Sequence, residues 1–291
     1  MKLTVAYFYP ELLNLYGDNG NVEIIATRAY KRGFEADVVR VNPSDTIDSA
    51  FMREVNFIFM GGGPDSSQKD MAEDLKINKG PYIKEYIENG GISLFVCGSY
   101  QLMGKYYKAA DGTIVDGLSV FDFYTQHFGH TKPRCVGNAV CRLSASIISD
   151  PVFGAVNRVG EELVGFENHG GRTFLDASLT PLGTVVSGFG NNGQDGLEGL
   201  YYKNTLGTYL HGPLFSKNPH LCDFLLAKSL KVDTLKELDD RLIISAHTAS
   251  KITMPNTKAP QADWLNVKSS ANAPNRKTMA RARVRGASFP A

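Results

Sequence analysis

Four short apolar runs separated by helical stretches constrain this chain more than any other feature. Residues 3–9, 36–41, 56–60 and 92–96 are rich in β-branched and aromatic side chains and too short to be core helices. After the first run comes the turn sequence Gly17-Asp18-Asn19-Gly20. Asn21 then caps a helix that carries Ile24, Ile25, Ala29 and Tyr30 and stops at Gly33. The third run ends in Gly61-Gly62-Gly63-Pro64. A helical region over 71–88, broken at Gly80-Pro81 and closed by Asn89-Gly90-Gly91, leads into the fourth run, and a helix over 100–107 follows it. Apolar strands alternating with helices predict an α/β fold, a doubly wound, mostly parallel sheet flanked by helices.

Beyond Gly112 the texture changes. Short strand-like runs at 135–143, 163–166, 183–186, 197–202 and 206–210 are punctuated by Gly and Asn, and a helix at 220–230 follows Pro219. These predict an extension of the sheet plus an antiparallel portion of the same domain. With 43% hydrophobic residues and a formal charge of +1 over 291 residues, the chain is neither disordered throughout nor fibrous. No apolar run approaches the ~18 residues of a membrane span, the start lacks a signal-like cleavage site, and four dispersed cysteines make no disulfide framework. A cytoplasmic protein, near the inner face of the membrane at most, is expected.

Charge is unevenly distributed. Residues 250–291 hold eight Lys or Arg against Asp263, leaving a net −6 on the rest. With four prolines, few aliphatics and no periodicity, this segment predicts a disordered basic tail, either an arm for anionic surfaces or a dispensable extension. The expected organisation is a catalytic domain over 1–232, a helical linker over 233–249 and the tail over 250–291.

The segment Ile92-Ser93-Leu94-Phe95-Val96-Cys97-Gly98-Ser99-Tyr100-Gln101 carries the chemistry. A buried strand ending in Cys, then small residues, then a helix is how a nucleophile is held on a tight strand-to-helix turn. The turn exposes sulfur at the carboxyl edge of the sheet, where open α/β folds bind ligands, and a helix N-terminus favours thiolate. The competing reading is a buried core cysteine.

A free thiol near pKa ~8.5 is mostly protonated at neutral pH, so a catalytic Cys97 needs a base. His211, in Leu210-His211-Gly212-Pro213 at the end of a predicted strand, is preferred. His169 in Glu167-Asn168-His169-Gly170-Gly171 is the competitor, and His127, His130, His220 and His247 read as solvated. Three glycines after a strand can turn N–H groups toward one point, so Gly62 and Gly63, with Gly98, form the expected oxyanion hole. No phosphate-loop lysine motif is present, and Gly188-Phe189-Gly190-Asn191-Asn192-Gly193 lies too late in the chain for a dinucleotide site and reads as a hairpin turn.

Together these features resemble a class I glutamine amidotransferase domain over residues 1–230. Cys97-Gly98-Ser99-Tyr100-Gln101 is similar to that family's C-G-G-Y-Q, with Ser99 in place of the second glycine. Leu210-His211-Gly212-Pro213 and Gly165-Phe166-Glu167-Asn168-His169-Gly170-Gly171-Arg172-Thr173 resemble its cobyric acid synthase-type branch. Asn14-Leu15-Tyr16-Gly17-Asp18-Asn19-Gly20-Asn21, Asp122-Phe123-Tyr124-Thr125 and Gly188-Phe189-Gly190-Asn191-Asn192 narrow the likeness to glutaminase subunits of lipid II isoglutaminyl synthases. That resemblance implies hydrolysis of L-glutamine by Cys97 and His211, with Gln101 and Arg134 on the glutamine side, Arg134 being equally readable as a solvated loop charge. It implies no metal or cofactor in this chain, and a Mur-ligase-like partner that binds ATP, magnesium and lipid II in a heterodimer, with no nucleic acid involved. The glutamate usual two residues after the catalytic histidine is replaced by Pro213. The resemblance puts an aspartate of the partner in that role, and Glu167 is an in-chain alternative. Other readings are an amidotransferase for cobyric or cobyrinic acid amidation, a peptidase-like Cys hydrolase and a non-catalytic regulatory module.

Overall fold

In the computed structural model, which describes residues 1–252, the apolar runs assemble into one six-stranded sheet. Strands β1 (Lys2–Phe8), β2 (Glu35–Val41), β3 (Phe57–Met60) and β4 (Ile92–Val96) are parallel and lie in the order β4-β3-β1-β2. The strand Thr205–Thr208 joins parallel to β4, and Leu200–Tyr202 closes that edge antiparallel. Both β3 and β4 are buried at every residue. That is why they read as continuous apolar runs rather than alternating ones: helices cover both faces of the sheet.

The first helix, α1 (Asn19–Tyr30), starts two residues before the expected cap, and Asp18 stands at its N-cap. The predicted break at Gly80-Pro81 does not occur there. The helix begins earlier, at Asp65, passes through a π turn at Leu75–Lys79 and continues as Gly80–Glu88. Pro81 sits in the first turn of this last part, where its missing N–H costs nothing. The helix after Cys97 is also shorter than expected. Gly98–Leu102 is followed by the strand Tyr106–Lys108.

The second half forms two further four-stranded sheets. One contains Gly171–Leu175, Phe123–His127, Tyr106–Lys108 and Ile114–Asp116, and the other contains Leu197–Glu198, Gly183–Ser187, Cys135–Leu143 and Glu162–His169. The glycine-rich run 188–193 connects the antiparallel strands Gly183–Ser187 and Leu197–Glu198. The helix Pro219–Leu230 is buried at every residue but Lys228.

A charged clamp ties this helix to α1. Arg28 donates pairwise to Asp223 and Asp240, all at 2.7 Å, and Arg32 adds a bond to Asp223. The clamp anchors the segment leading to the helix Arg241–Ile252. That helix reaches the start of the expected tail, and the rest of the tail lies outside the described residues. No helix among the described residues is long and apolar enough to cross a membrane.

Candidate active site

β4 delivers Cys97 to the carboxyl edge of the main sheet in a strained conformation, φ 52° and ψ −106°. A non-glycine residue held there costs roughly 1–3 kcal/mol and persists only where its surroundings over-determine it. Here the Cys97 N–H donates to the Thr208 carbonyl at 2.8 Å and the Cys97 carbonyl accepts from the Gln101 N–H at 2.9 Å. Ser99 also secures the turn, since its hydroxyl accepts the Val96 N–H at 2.9 Å and donates to the Met60 carbonyl at 2.7 Å. The hydroxyl in place of a second glycine therefore joins the end of β3 to the end of β4. The helix that follows Cys97 is only five residues long. Its dipole is correspondingly small, so the charge facing the sulfur comes from a side chain instead.

That side chain is His211. Its backbone pairs with Phe166 in both directions, His211 N–H to Phe166 carbonyl at 2.7 Å and Phe166 N–H to His211 carbonyl at 3.1 Å, which clamps it to the strand Glu162–His169. The imidazole is buried. Its Nδ1 lies 3.0 and 3.1 Å from the two carboxylate oxygens of Asp18, while Nε2 is buried without a hydrogen-bond partner. Burial alone would lower the imidazole, but the Asp18 carboxylate and the Cys97 sulfur oppose it and raise its pKa to about 10. Tyr16 lies edge-on over the ring, with centroids 4.9 Å apart.

Gly62 shows how tightly these groups converge. A Cβ at Gly62 would lie 2.8 Å from His211 Cε1, 3.1 Å from Cys97 Cβ and 3.2 Å from Asp18 Oδ2. Any side chain there would push the three apart. The Gly62 N–H, expected in the oxyanion hole, is occupied, donating to Asp18 Oδ2 at 2.8 Å. Gly63 and Gly98 approach closely beside the elbow, where a Cβ on Gly98 would stand 3.1 Å from the Gly63 carbonyl oxygen and 3.2 Å from its nitrogen.

The other expected site residues surround this centre. Gln101 is buried, donates to the Tyr209 hydroxyl at 3.1 Å and accepts from Gln68 at 3.2 Å. Arg134 is exposed and bonds Asn168 through Nε and Nη2, both at 3.0 Å. Asn168 in turn donates to the Tyr16 hydroxyl at 2.6 Å. Arg134 thus reaches the centre only through Asn168 and Tyr16.

His169 lies one ring further in, stacked on Tyr209 at 3.7 Å with Nδ1 bonded to the Gly171 carbonyl. Glu167 is engaged elsewhere, accepting the Phe189 and Gly190 N–H groups at 2.6 and 2.9 Å. It fixes the glycine-rich connection and does not contact His211. Two of the histidines read as solvated are buried: His220 and His247 are each 1% exposed, because the terminal helix packs its own His247 against the His220 ring and the Lys217 carbonyl.

Sequence reasoning missed Asp18. The acid was sought two residues after His211, where Pro213 stands, whereas the carboxylate that reaches the ring comes from the opposite end of the chain. The available signal was the Asn14–Asn21 motif itself, an acidic residue in a glycine turn directly after the first strand.

A sequence profile of the CobB/CobQ-like glutamine amidotransferase domain matches residues 4–219. The chain is 40% identical over 249 residues to the lipid II isoglutaminyl synthase (glutamine-hydrolysing) subunit GatD of Staphylococcus aureus, covering 84% of this chain and 93% of that protein. It is 39% identical over 230 residues to the subunit of the same name from Streptococcus pneumoniae, covering 79% and 81%. Superposition on a glutamine amidotransferase from Thermotoga maritima gives a TM-score of 0.49 at 14% identity, covering 86% of this chain and 92% of that one. With the profile spanning the elbow, the glycine loop and His211, the chain belongs to the CobB/CobQ-like glutamine amidotransferases.

Proposed function

We propose that this chain hydrolyses L-glutamine through Cys97 and His211 and hands the ammonia to a Mur-ligase-like partner subunit. The partner, holding ATP and magnesium, then amidates the D-glutamate of the lipid II stem peptide in peptidoglycan synthesis. The observation that carries the chemistry is the convergence of Cys97, His211 and Asp18 around Gly62. The two relatives matched over most of their length support the pathway, since both are named as glutamine-hydrolysing subunits of lipid II isoglutaminyl synthase.

Cys97 thiolate attacks the γ-amide carbon of glutamine, and the negative charge that develops on the carbonyl oxygen is held by the Gly63 and Gly98 amides. His211 Nε2 gives its proton to the departing nitrogen, the C–N bond breaks, and ammonia leaves a γ-glutamyl thioester. Water, deprotonated by His211, then attacks the thioester. Glutamate is released and the sulfur regains its starting state. The buried site excludes bulk water, so each amide donor is aimed before the charge appears rather than reoriented by it. The wall of Gln68 and Gln101 amides beside Gly98 is suited to the polar end of a glutamine side chain.

The test is a coupled assay containing the chain, the candidate ligase, ATP, lipid II and glutamine. Glutamate release and amidated lipid II are both expected, and Cys97→Ala should abolish glutamate release while the circular dichroism and melting curve stay near wild type. Retained hydrolysis in Cys97→Ala would remove it as the nucleophile. Amidation of cobyric acid-type substrates instead of lipid II would redirect the pathway and keep the chemistry.

A further inference from the structure

Cys97 and His211 are almost sealed, at 6% and 1% exposed. A nucleophile needs its target carbon within about 3–3.5 Å, so part of the wall has to move before an amide reaches the sulfur. On the His211 side that wall is Tyr16. Its ring stands edge-on to the imidazole at 4.9 Å and to Phe166 at 5.8 Å, while Tyr16 itself is 41% exposed. It lies between the base and the solvent.

The turn that carries Tyr16 differs from the packed walls around it. Tyr16 sits at φ 56° and ψ 23°, a left-handed backbone that a bulky residue keeps only where its surroundings hold it, and Gly17 follows at φ 75°. The anchors flank these two residues. The Leu15 N–H donates to the Gly62 carbonyl at 2.9 Å, and the Asn19 N–H donates to Asn14 Oδ1 at 2.9 Å. None of Leu15, Tyr16 and Gly17 is buried. Rotation out of the left-handed region relieves strain at Tyr16, and Gly17 absorbs the change, so the ring can swing with both anchors in place.

A side-chain latch opposes that swing. The Tyr16 hydroxyl accepts from Asn168 Nδ2 at 2.6 Å. Arg134, which has donors only, binds Asn168 Oδ1 and the Asn168 carbonyl, both at 3.0 Å. The oxygen of the Asn168 amide is therefore turned to Arg134 and its nitrogen to Tyr16.

We propose that Tyr16 is a gate over the Cys97–His211 pair, latched by Asn168. Closed, its ring seats the imidazole and keeps bulk water off the sulfur; open, it admits the side-chain amide of the substrate. That this substrate is glutamine rests on the glutaminase reading above, and the gate itself does not.

The test is the rate at which iodoacetamide alkylates Cys97 in the full-length chain, followed by mass spectrometry across pH. The midpoint of the rate profile reports the thiolate, and the plateau above it reports access. Cys135, Cys141 and Cys222, at most 1% exposed, serve as internal references for the fold. Tyr16→Ala should raise the plateau about tenfold or more. Tyr16→Phe and Asn168→Ala each remove the latch and should raise it about three- to tenfold, the worth of one hydrogen bond. The double variant should rise no further than either single one, because both remove the same contact. Where Tyr16→Ala loosens the fold and exposes the reference cysteines, the two latch variants decide. An unchanged plateau in Tyr16→Phe and Asn168→Ala, or gains from the two that multiply in the double variant, overturns the proposal. If the wild type with its ligase releases no glutamate while the order of alkylation rates holds, the glutaminase reading fails and the gate stands.

Discussion

His211 and His220 lie nine residues apart, each only 1% exposed, and their imidazoles shift in opposite directions. Burial lowers both. At His211 a carboxylate and a sulfur oppose it and raise the pKa to about 10. At His220 the neighbours are the Glu162 carbonyl, the His247 ring and the cation of Lys251, and the pKa falls to about 3. Burial sets how much a charge costs, and the partner decides whether that cost is met. One ring is held between a carboxylate and a thiol. The other is a neutral packing piece between the helix Pro219–Leu230, Phe153 and the terminal helix.

The sharpest way to break this comparison is to remove each ring in turn. His211→Asn should lower glutaminase turnover by about a thousandfold or more, as loss of the base does in triad enzymes. His220→Asn should leave turnover within a few-fold, since nothing it touches reaches the sulfur. Equal losses from the two variants, measured as glutamate release, would erase the distinction.

Glu198 extends the comparison to an acid. Its Oε1 accepts from the Thr208 hydroxyl and the Tyr209 N–H at 2.6 and 2.9 Å, and Oε2 has no partner. Burial raises it to about 7 against these neutral donors. The folded state therefore holds a proton that the unfolded chain has already released, and stability falls as pH rises from the unfolded value of about 4.5 through 7. Denaturant titrations at pH 5 and 7 should differ by about 2 kcal/mol from this group, at ~1.4 kcal/mol per pKa unit. Glu198→Gln should remove that slope.

His220 gives a slope of the opposite sign. Its folded pKa lies below its unfolded one, so the unfolded chain takes up the proton first and stability is lost as pH falls from about 6.5 toward 3. Acidification from pH 7 to 5 should cost just under about 2 kcal/mol from this group, and His220→Gln should flatten that limb of the same titrations. The smallest expected effect is that of Ser99→Gly. Losing the hydroxyl that joins Val96 to Met60 should cost about 1 kcal/mol of unfolding free energy, with turnover changed only a few-fold.

The legible parts of the sequence were those governed by local rules. β3 and β4 were readable because strands buried on both faces are apolar along their whole length, and the ends of all four parallel strands fell within a residue or two of the expected places. The places of Cys97 and His211 were readable because each follows an apolar run and sits among small residues that break the pattern. The solvated reading failed at His220 and His247 because the terminal helix, which carries His247, packs onto the start of the helix carrying His220, and nothing within a few residues of either signals that contact. Asp18 was hidden for the same reason in reverse. Its neighbours spell a helix cap, and only the packing of that turn against Gly62 and Pro213 sends its carboxylate to a ring 193 positions away.

The sequence alone therefore determined the parallel α/β scaffold, the tight cysteine turn and the place of the histidine just past a neighbouring strand, since hydrophobic burial and backbone sterics act over short stretches of chain. The tertiary structure decided which buried groups carry charge: His211 and Asp18 as a pair, Glu198 against neutral donors, His220 against another ring. A group's charge state inside a protein depends on what lies within a few ångströms of it, and folding brings those neighbours from distant parts of the chain.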